Sequence, residues 1–131
     1  MTKLRSLLYI VAFFALGSCN TSGDKSQQAA ASAKEAYQYI MDGKYESFVH
    51  STVGYDSIPE AYREQVVTSM KQYATSLKKA HGGMSAVDII NAEAIDSLHT
   101  AQVLLLLHFT DSTTEQVSVQ MVERNGKWLL K

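Results

Sequence analysis

Ala101-Gln102-Val103-Leu104-Leu105-Leu106-Leu107-His108-Phe109 is the stretch that decides the fold. Read with period two, Ala101, Val103, Leu105, Leu107 and Phe109 share one side of an extended strand. Gln102, Leu104, Leu106 and His108 share the other. One side is wholly apolar and the other mixed, as in an antiparallel sheet that sets one face on a core. The spacing predicts a strand over 98–110. Downstream, 115–123 repeats the alternation, with Val117, Val119 and Met121 against Gln116, Ser118 and Gln120. Asn125-Gly126 supplies the residue types that a two-residue hairpin turn demands, and 127–131 returns as a short last strand carrying Trp128 and Leu130. Upstream, 87–95 reads as the first strand of the same sheet.

Ahead of Gly82-Gly83 the apolar period lengthens to between three and four. Ala30, Ala33, Tyr37, Ile40 and Met41 make one stripe, which predicts a helix from Ala29 stopped by Gly43. A short helix over 45–51 offers Tyr45, Phe48 and Val49. A long helix starts at Pro59, whose missing N–H suits a first helical position, with Ser57 or Ile58 at the cap. Its expected buried stripe is Ala61, Tyr62, Val66, Met70, Tyr73, Ala74 and Leu77. Lys78, Lys79 and His81 gather where cations complement the helix dipole, and Gly82-Gly83 terminates it. Helices followed by an antiparallel meander make an α+β domain over 29–131.

This order resembles the cystatin-like cone fold shared with nuclear transport factor two. The closing stretch, from Val103 to Phe109, then Thr114 to Glu123, then Asn125-Gly126-Lys127-Trp128-Leu129-Leu130, looks like the end of small bacterial lipoproteins of that fold. The resemblance implies three N-terminal helices packed on a curved four-strand antiparallel sheet. The superfamily holds isomerases, dehydratases and non-catalytic binding modules, so fold alone does not assign a function.

The amino terminus carries a second signal. Lys3 and Arg5 precede an apolar run over 7–16, then Gly17-Ser18-Cys19. Ten helical residues span about 15 Å, against about 30 Å of hydrocarbon, so the run is short for a membrane anchor and reads as a signal peptide. Leu16, Gly17 and Ser18 before the only cysteine resemble the lipobox of bacterial lipoproteins. That implies removal of residues 1–18, cleavage between Ser18 and Cys19, and lipid on the Cys19 thiol; a plain buried thiol is the alternative. Residues 19–28 are polar and without an apolar period, and are expected to be a flexible tether. Asn20 is not the aspartate of an inner-membrane retention signal, and Asp24 alone is no acidic surface-export run. The expected location is therefore the outer membrane, facing the periplasm.

Composition narrows the partners. Loss of Lys3 and Arg5 would leave ten basic residues against thirteen acidic ones, net about -3, which gives no electrostatic case for nucleic acid. A phosphate-binding glycine loop, a nucleophile elbow and a metal-spaced histidine pair are all missing from the sequence. His50, His81, His99 and His108 fall on separate elements, so no metal and no cofactor are expected. Enzymes of the resembled superfamily set an Asp/His or Tyr/Asp pair inside the cone. Here that side of the second and third strands carries only apolar residues, and Asp88, Glu93 and Asp96 on or beside the first strand have an open register.

Tyr37, Tyr45, Tyr62 and Tyr73, with Phe109 and Trp128, are the candidate lining of a pocket for a small ligand or peptide, each aromatic giving an apolar body and the tyrosines a polar tip. The alternative is that they cap a small alanine-rich core. Leu104 and Leu106 on the outer sheet side make a candidate homodimer or envelope-partner surface. Asp56-Ser57-Ile58, Asp96-Ser97-Leu98 and Asp111-Ser112-Thr113 resemble the O-glycosylation signal of exported Bacteroidetes proteins, and are also ordinary turn chemistry. The reading that unites these features is a lipid-anchored envelope module that binds and does not catalyse. The other reading is an acid/base enzyme of isomerase or dehydratase type with its site in the cone.

Overall fold

The computed structural model of the chain describes residues 21–131. The expected leader over 1–18, the Ser18–Cys19 cleavage point and the Cys19 lipidation site lie outside them. Helix α1 (Thr21–Met41) leads to a short α2 (Tyr45–His50), and a 3-10 turn (Tyr55–Ser57) leads to the long α3 (Glu60–His81). Four strands follow: β1 (Met84–Ile95), β2 (Thr100–Phe109), β3 (Thr114–Arg124) and β4 (Lys127–Leu130). They form one antiparallel meander in chain order. The class is α+β, helices first and sheet second.

β2 lies between β1 and β3 and sorts its side chains by parity. Val103, Leu105 and Leu107 are fully buried, while Leu104, Leu106 and His108 on the opposite face are half-buried. The inner row continues across the register through Val119 and Met121. β1 begins at Met84, three residues before the expected start, and shifts register at two places, Met84/Ala86 and Ile89/Asn91. Each bulge adds a residue without a partner and turns the strand; beside the second, Ile89 and Ile90 stay exposed. Asn125 and Gly126 both take positive φ and close the β3–β4 hairpin as a primed turn requires.

α1 corrects the expected tether. The helix begins at Thr21, so the polar segment over 21–28 is its first two turns. Polar side chains dock it: Ala94 N–H donates to the Ser26 hydroxyl at 3.0 Å, and the Lys25 ammonium lies 3.1 Å from Asp96 and 3.6 Å from Glu123. Farther along, Ala29, Ala30, Ala33 and Ala36 are buried to the last few per cent. Alanine is the best helix former and the smallest with a Cβ, so α1 lies close against β1 and β2, where Ala92, Ala94 and Ala101 are small in turn. Among the described residues no helix is long and apolar enough to cross a membrane.

α3 is held mainly at its C-terminal end. Pro59 is the N-cap rather than the first helical residue. Of the expected buried stripe only Leu77 is fully buried; Val66, Met70, Tyr73 and Ala74 are half-covered, and Ala61 and Tyr62 are exposed. The amphipathic period is present, but the sheet is already covered by α1, and the first turns of α3 find no second layer. The helix ends at Gly82 in the left-handed region, φ 83°, where a Cβ would run into the Thr110 side chain. Thr110 N–H donates to Gly83 O and Asp111 N–H to His81 O, which ties this corner to the β2–β3 turn.

Two substitutions test this packing. Ala33→Leu should destabilise the chain by about 1–3 kcal/mol through overpacking of the α1–sheet contact, read as a lower urea midpoint at unchanged m-value. Gly82→Ala should cost about 1 kcal/mol or more, because it combines a strained φ with the Thr110 clash; an unchanged midpoint would contradict the clamped corner.

Candidate functional site

β4 is an edge strand of four residues, and its outer margin runs between two helices. α1 contributes Ala31, Ser32 and Glu35 to one wall, α2 contributes Ser47 and His50 to the other, and Lys127 and Trp128 form the floor of a groove of about 720 Å³. The walls are polar because α1 turns its alanines to the sheet and its other side outward. Glu46 lies 4.0 Å from His50, one helical turn apart, and the His50 ring stacks on Tyr55 at 4.5 Å. Trp128 is only 7% exposed, and its indole Nε1 has no hydrogen-bond partner. An unpartnered buried donor costs about 1–3 kcal/mol, so this nitrogen marks a place where the fold is unsatisfied.

The six aromatic residues expected to line one pocket separate into five settings, which corrects that expectation. Trp128 floors the groove. Tyr45 borders a smaller hollow of about 360 Å³ between the ends of α1 and α3, beside Leu77 and Lys78. Phe109 is a core residue, with the His81 ring stacked on it at 4.7 Å. Tyr62 is 54% exposed on the free half of α3.

Tyr37 and Tyr73 do converge. Tyr37 packs edge-on against Phe48 at 6.5 Å. Burial first, then the charge of Glu115, pushes its hydroxyl up. Burial, then Tyr37, then Glu115 push Tyr73 up to about 12. Glu115 has the parity of Val117 and pairs with Leu107, so it belongs to the inner side of the sheet at its open end. Sequence reasoning started that inner row at Val117; counting parity back by one pair would have found it.

The four histidines each meet a different acid: His50 with Glu46, His81 with Asp111 at 3.1 Å, His99 with Glu123 at 3.4 Å, and His108 with Asp88 at 2.7 Å. Asp88 therefore points to the outer face. Among the described residues no three His, Cys, Asp or Glu side chains converge as metal ligands do. The hydroxyl of Thr113 and then its backbone N–H donate to Asp111 and hold that carboxyl below its ordinary value, with His81 adding to the effect. This makes the Asp111-Ser112-Thr113 turn a closed local network. Ser57, Ser97 and Ser112 are all exposed, Ser57 and Ser97 in 3-10 turns and Ser112 in the β2–β3 turn with φ 73°.

Two solved structures share the architecture. One, described as an NTF2-like transpeptidase from Campylobacter jejuni, matches with a TM-score of 0.61 at 15% identity over 75% of this chain and 92% of that one. The other, a SEC-C motif containing protein from Rhodopseudomonas palustris, matches with a TM-score of 0.51 at 11% identity over 79% of this chain and 77% of that one. No family model matches the chain, and no curated protein does either. The first likeness supports an NTF2-like, cystatin-like fold, and at these identities it speaks to fold alone.

The tyrosine pair makes a titration prediction. Tyr73 keeps its proton in the folded state to about pH 12, against an ordinary value of 10.0. Its contribution to stability is therefore intact below pH 10 and is lost as pH rises from 10 to about 12. Absorbance titration at 295 nm should show a late-ionising tyrosine that is missing in Tyr73→Phe, and the variant should lose less stability than the parent across that window.

Proposed function

We propose that this chain is a lipid-anchored lipoprotein of the bacterial cell envelope that binds a ligand in the α1–α2–β4 groove and catalyses nothing. The observation that carries the binding reading is the groove itself, a hollow of about 720 Å³ over the edge strand β4 with a helix on each side. Packing supports the non-catalytic part. α1 and the Val103, Leu105 and Leu107 row fill the inner side of the sheet, and no polar or charged residue is fully buried among the described ones. The His–Asp and His–Glu pairs sit at the surface, where water screens them.

The anchor is argued from the lipobox-like Leu16-Gly17-Ser18-Cys19 alone. Its proposed site is the outer membrane, facing the periplasm, in a member of the Bacteroidetes. Attached acyl chains hold a protein on a bilayer at about 0.8 kcal/mol per buried CH₂. The finer fold proposal is a curved, cone-like sheet under three helices. A second contact surface, between two copies of the outer face around Leu104 and Leu106, belongs to the same proposal.

One observation favours the enzyme reading: Tyr37, Tyr73 and Glu115 converge at the open end of the inner side. Two protonated hydroxyls beside a carboxylate make an acid/base set of the kind an isomerase or dehydratase uses.

The anchor is tested by mass spectrometry of the mature protein and membrane fractionation of the native chain beside Cys19→Ala. An acylated Cys19 at the new amino terminus and release of the variant are the expected results; an unmodified Cys19 in a membrane-bound chain would remove the anchor. For the groove, nitrogen-15 spectra of the full chain with fractionated envelope extract should move the Trp128 indole resonance while the Tyr73 neighbourhood stays still. The reverse pattern would favour the enzyme reading.

A further inference from the structure

The floor of the groove is an unfinished sheet edge. Leu130 N–H donates to Ser51 O at 2.8 Å, and Leu130 O accepts from Val53 N–H at 2.7 Å. Residues 51–53 thus lie along β4 as a short added piece of extended chain, parallel at Thr52 and Leu130. Lys131 N–H instead donates to Gln120 O on β3 at 3.0 Å. Backbone groups along a strand alternate in direction, so Leu130 and Trp128 both turn theirs away from β3. At Leu130 the chain completes the edge. At Trp128 it does not, because the residue that would continue the parallel pairing is His50, which is wound into α2. The Ser51 hydroxyl donates to Ser47 O and the Thr52 hydroxyl to Val49 O, which pins the segment to the helix. By that alternation the Trp128 N–H and C=O face away from β3, and among the described residues no turn or loop backbone group bonds to them; its Nε1 has no partner either.

We infer that the groove takes an extended peptide segment of a partner protein, added as a strand to β4 at Trp128 in line with residues 51–53. This rests on the reading of the groove as the binding site. The chain's own Ser51-Thr52-Val53 shows the shape this edge accepts, an extended backbone with one donor and one acceptor per alternate residue. Ala31 and Ser32 on the α1 wall are small and leave room for a main chain. Glu35 and Lys127 have no ion pair among the described residues, so the groove offers one carboxylate and one ammonium to polar side chains of the segment. Main-chain bonds supply the attachment in strand addition, and side-chain contacts of alternate residues supply the selection.

The test uses the full-length chain, labelled with nitrogen-15, and a pool of end-blocked hexapeptides in which threonine alternates with randomised residues. A control pool has the same residues N-methylated at every amide. Binding should move the Trp128 backbone amide and indole resonances saturably and slow exchange of the Trp128 amide by about tenfold or more. The methylated pool should bind about tenfold weaker or worse, since it cannot donate to the edge. Ala31→Arg, an exposed position where arginine is a good helix former, should keep the fold and lose the binding. Equal binding of both pools, or binding that survives Ala31→Arg, would overturn strand addition. If peptides leave Trp128 unmoved while a small-molecule fraction of the extract moves it, strand addition falls and the groove reading stands; if neither moves it, both fall. A Trp128 shift produced by concentrating the protein alone would assign the edge to a second copy and overturn the peptide.

Discussion

The close approach of an alanine face to a sheet is the constraint on which the rest of the structure depends. Ala29, Ala33 and Ala36 have no exposure at all, and they meet a sheet whose own inner positions at Ala94 and Ala101 are small. A helix seated this closely covers the middle of the sheet with backbone and methyl groups. The long side chains of β2, Leu105 and Leu107, then fill what remains and are fully buried. Nothing of the inner side is left over for a ligand chamber except its open end, where Tyr37, Tyr73 and Glu115 gather. Had the α1 stripe been leucine, the helix would stand off farther and the sheet below it would have room.

Covering the middle leaves the margins unfinished, and both unusual regions of the molecule are margins. α3 reaches the body through Leu77 and the Gly82 corner, and its first turns carry Tyr62 into solvent. β4, with four residues, is too short to be protected by its own length; residues 51–53 complete half of its edge and α2 withdraws the other half. Natural sheets usually block such edges with charge, proline or a bulge. Here the edge at Trp128 carries Lys127 beside it but has no proline or bulge, and two helices wall it, which restricts access without pairing the groups. That arrangement suits selection of one extended segment better than protection from all of them.

Much of this was legible in the sequence, and the reasons differ from element to element. Parity along 101–109 sorted the sheet correctly because a period of two leaves no ambiguity about which side is buried. Asn125-Gly126 marked the hairpin because few residue pairs tolerate its dihedrals. The segment over 21–28 shows no helical signal in its sequence because its docking is polar: Ser26 and Lys25 bond to Ala94, Asp96 and Glu123, and a hydrophobic period cannot register hydrogen bonds and ion pairs. The stripe on α3 was visible, but its degree of burial depends on whether α1 has taken the sheet, which is a competition between helices rather than a property of either. The groove was illegible for the same reason. It is made by Lys127-Trp128, by the outward side of α1 and by the point at which residue 50 enters a helix, and none of these is a motif.

The corrected start of α1 changes what an anchor at Cys19 would mean. With a flexible tether over 19–28 the domain would range freely above a bilayer. With a helix over Thr21–Met41, two residues after the proposed lipid site, an anchor there would hold the domain close and restrict its orientation. The groove residues of α1, from 28 to 39, then lie roughly 10–27 Å along the helix from its start, at 1.5 Å per residue. A partner segment at or near the same membrane would meet the β4 edge at high effective concentration, and one or two main-chain hydrogen bonds would suffice where free solution would demand a larger interface. A short, walled edge that binds a free peptide modestly would hold a neighbour fixed to the same surface far more firmly. The anchor and the edge, argued from opposite ends of the chain, therefore support the same kind of work.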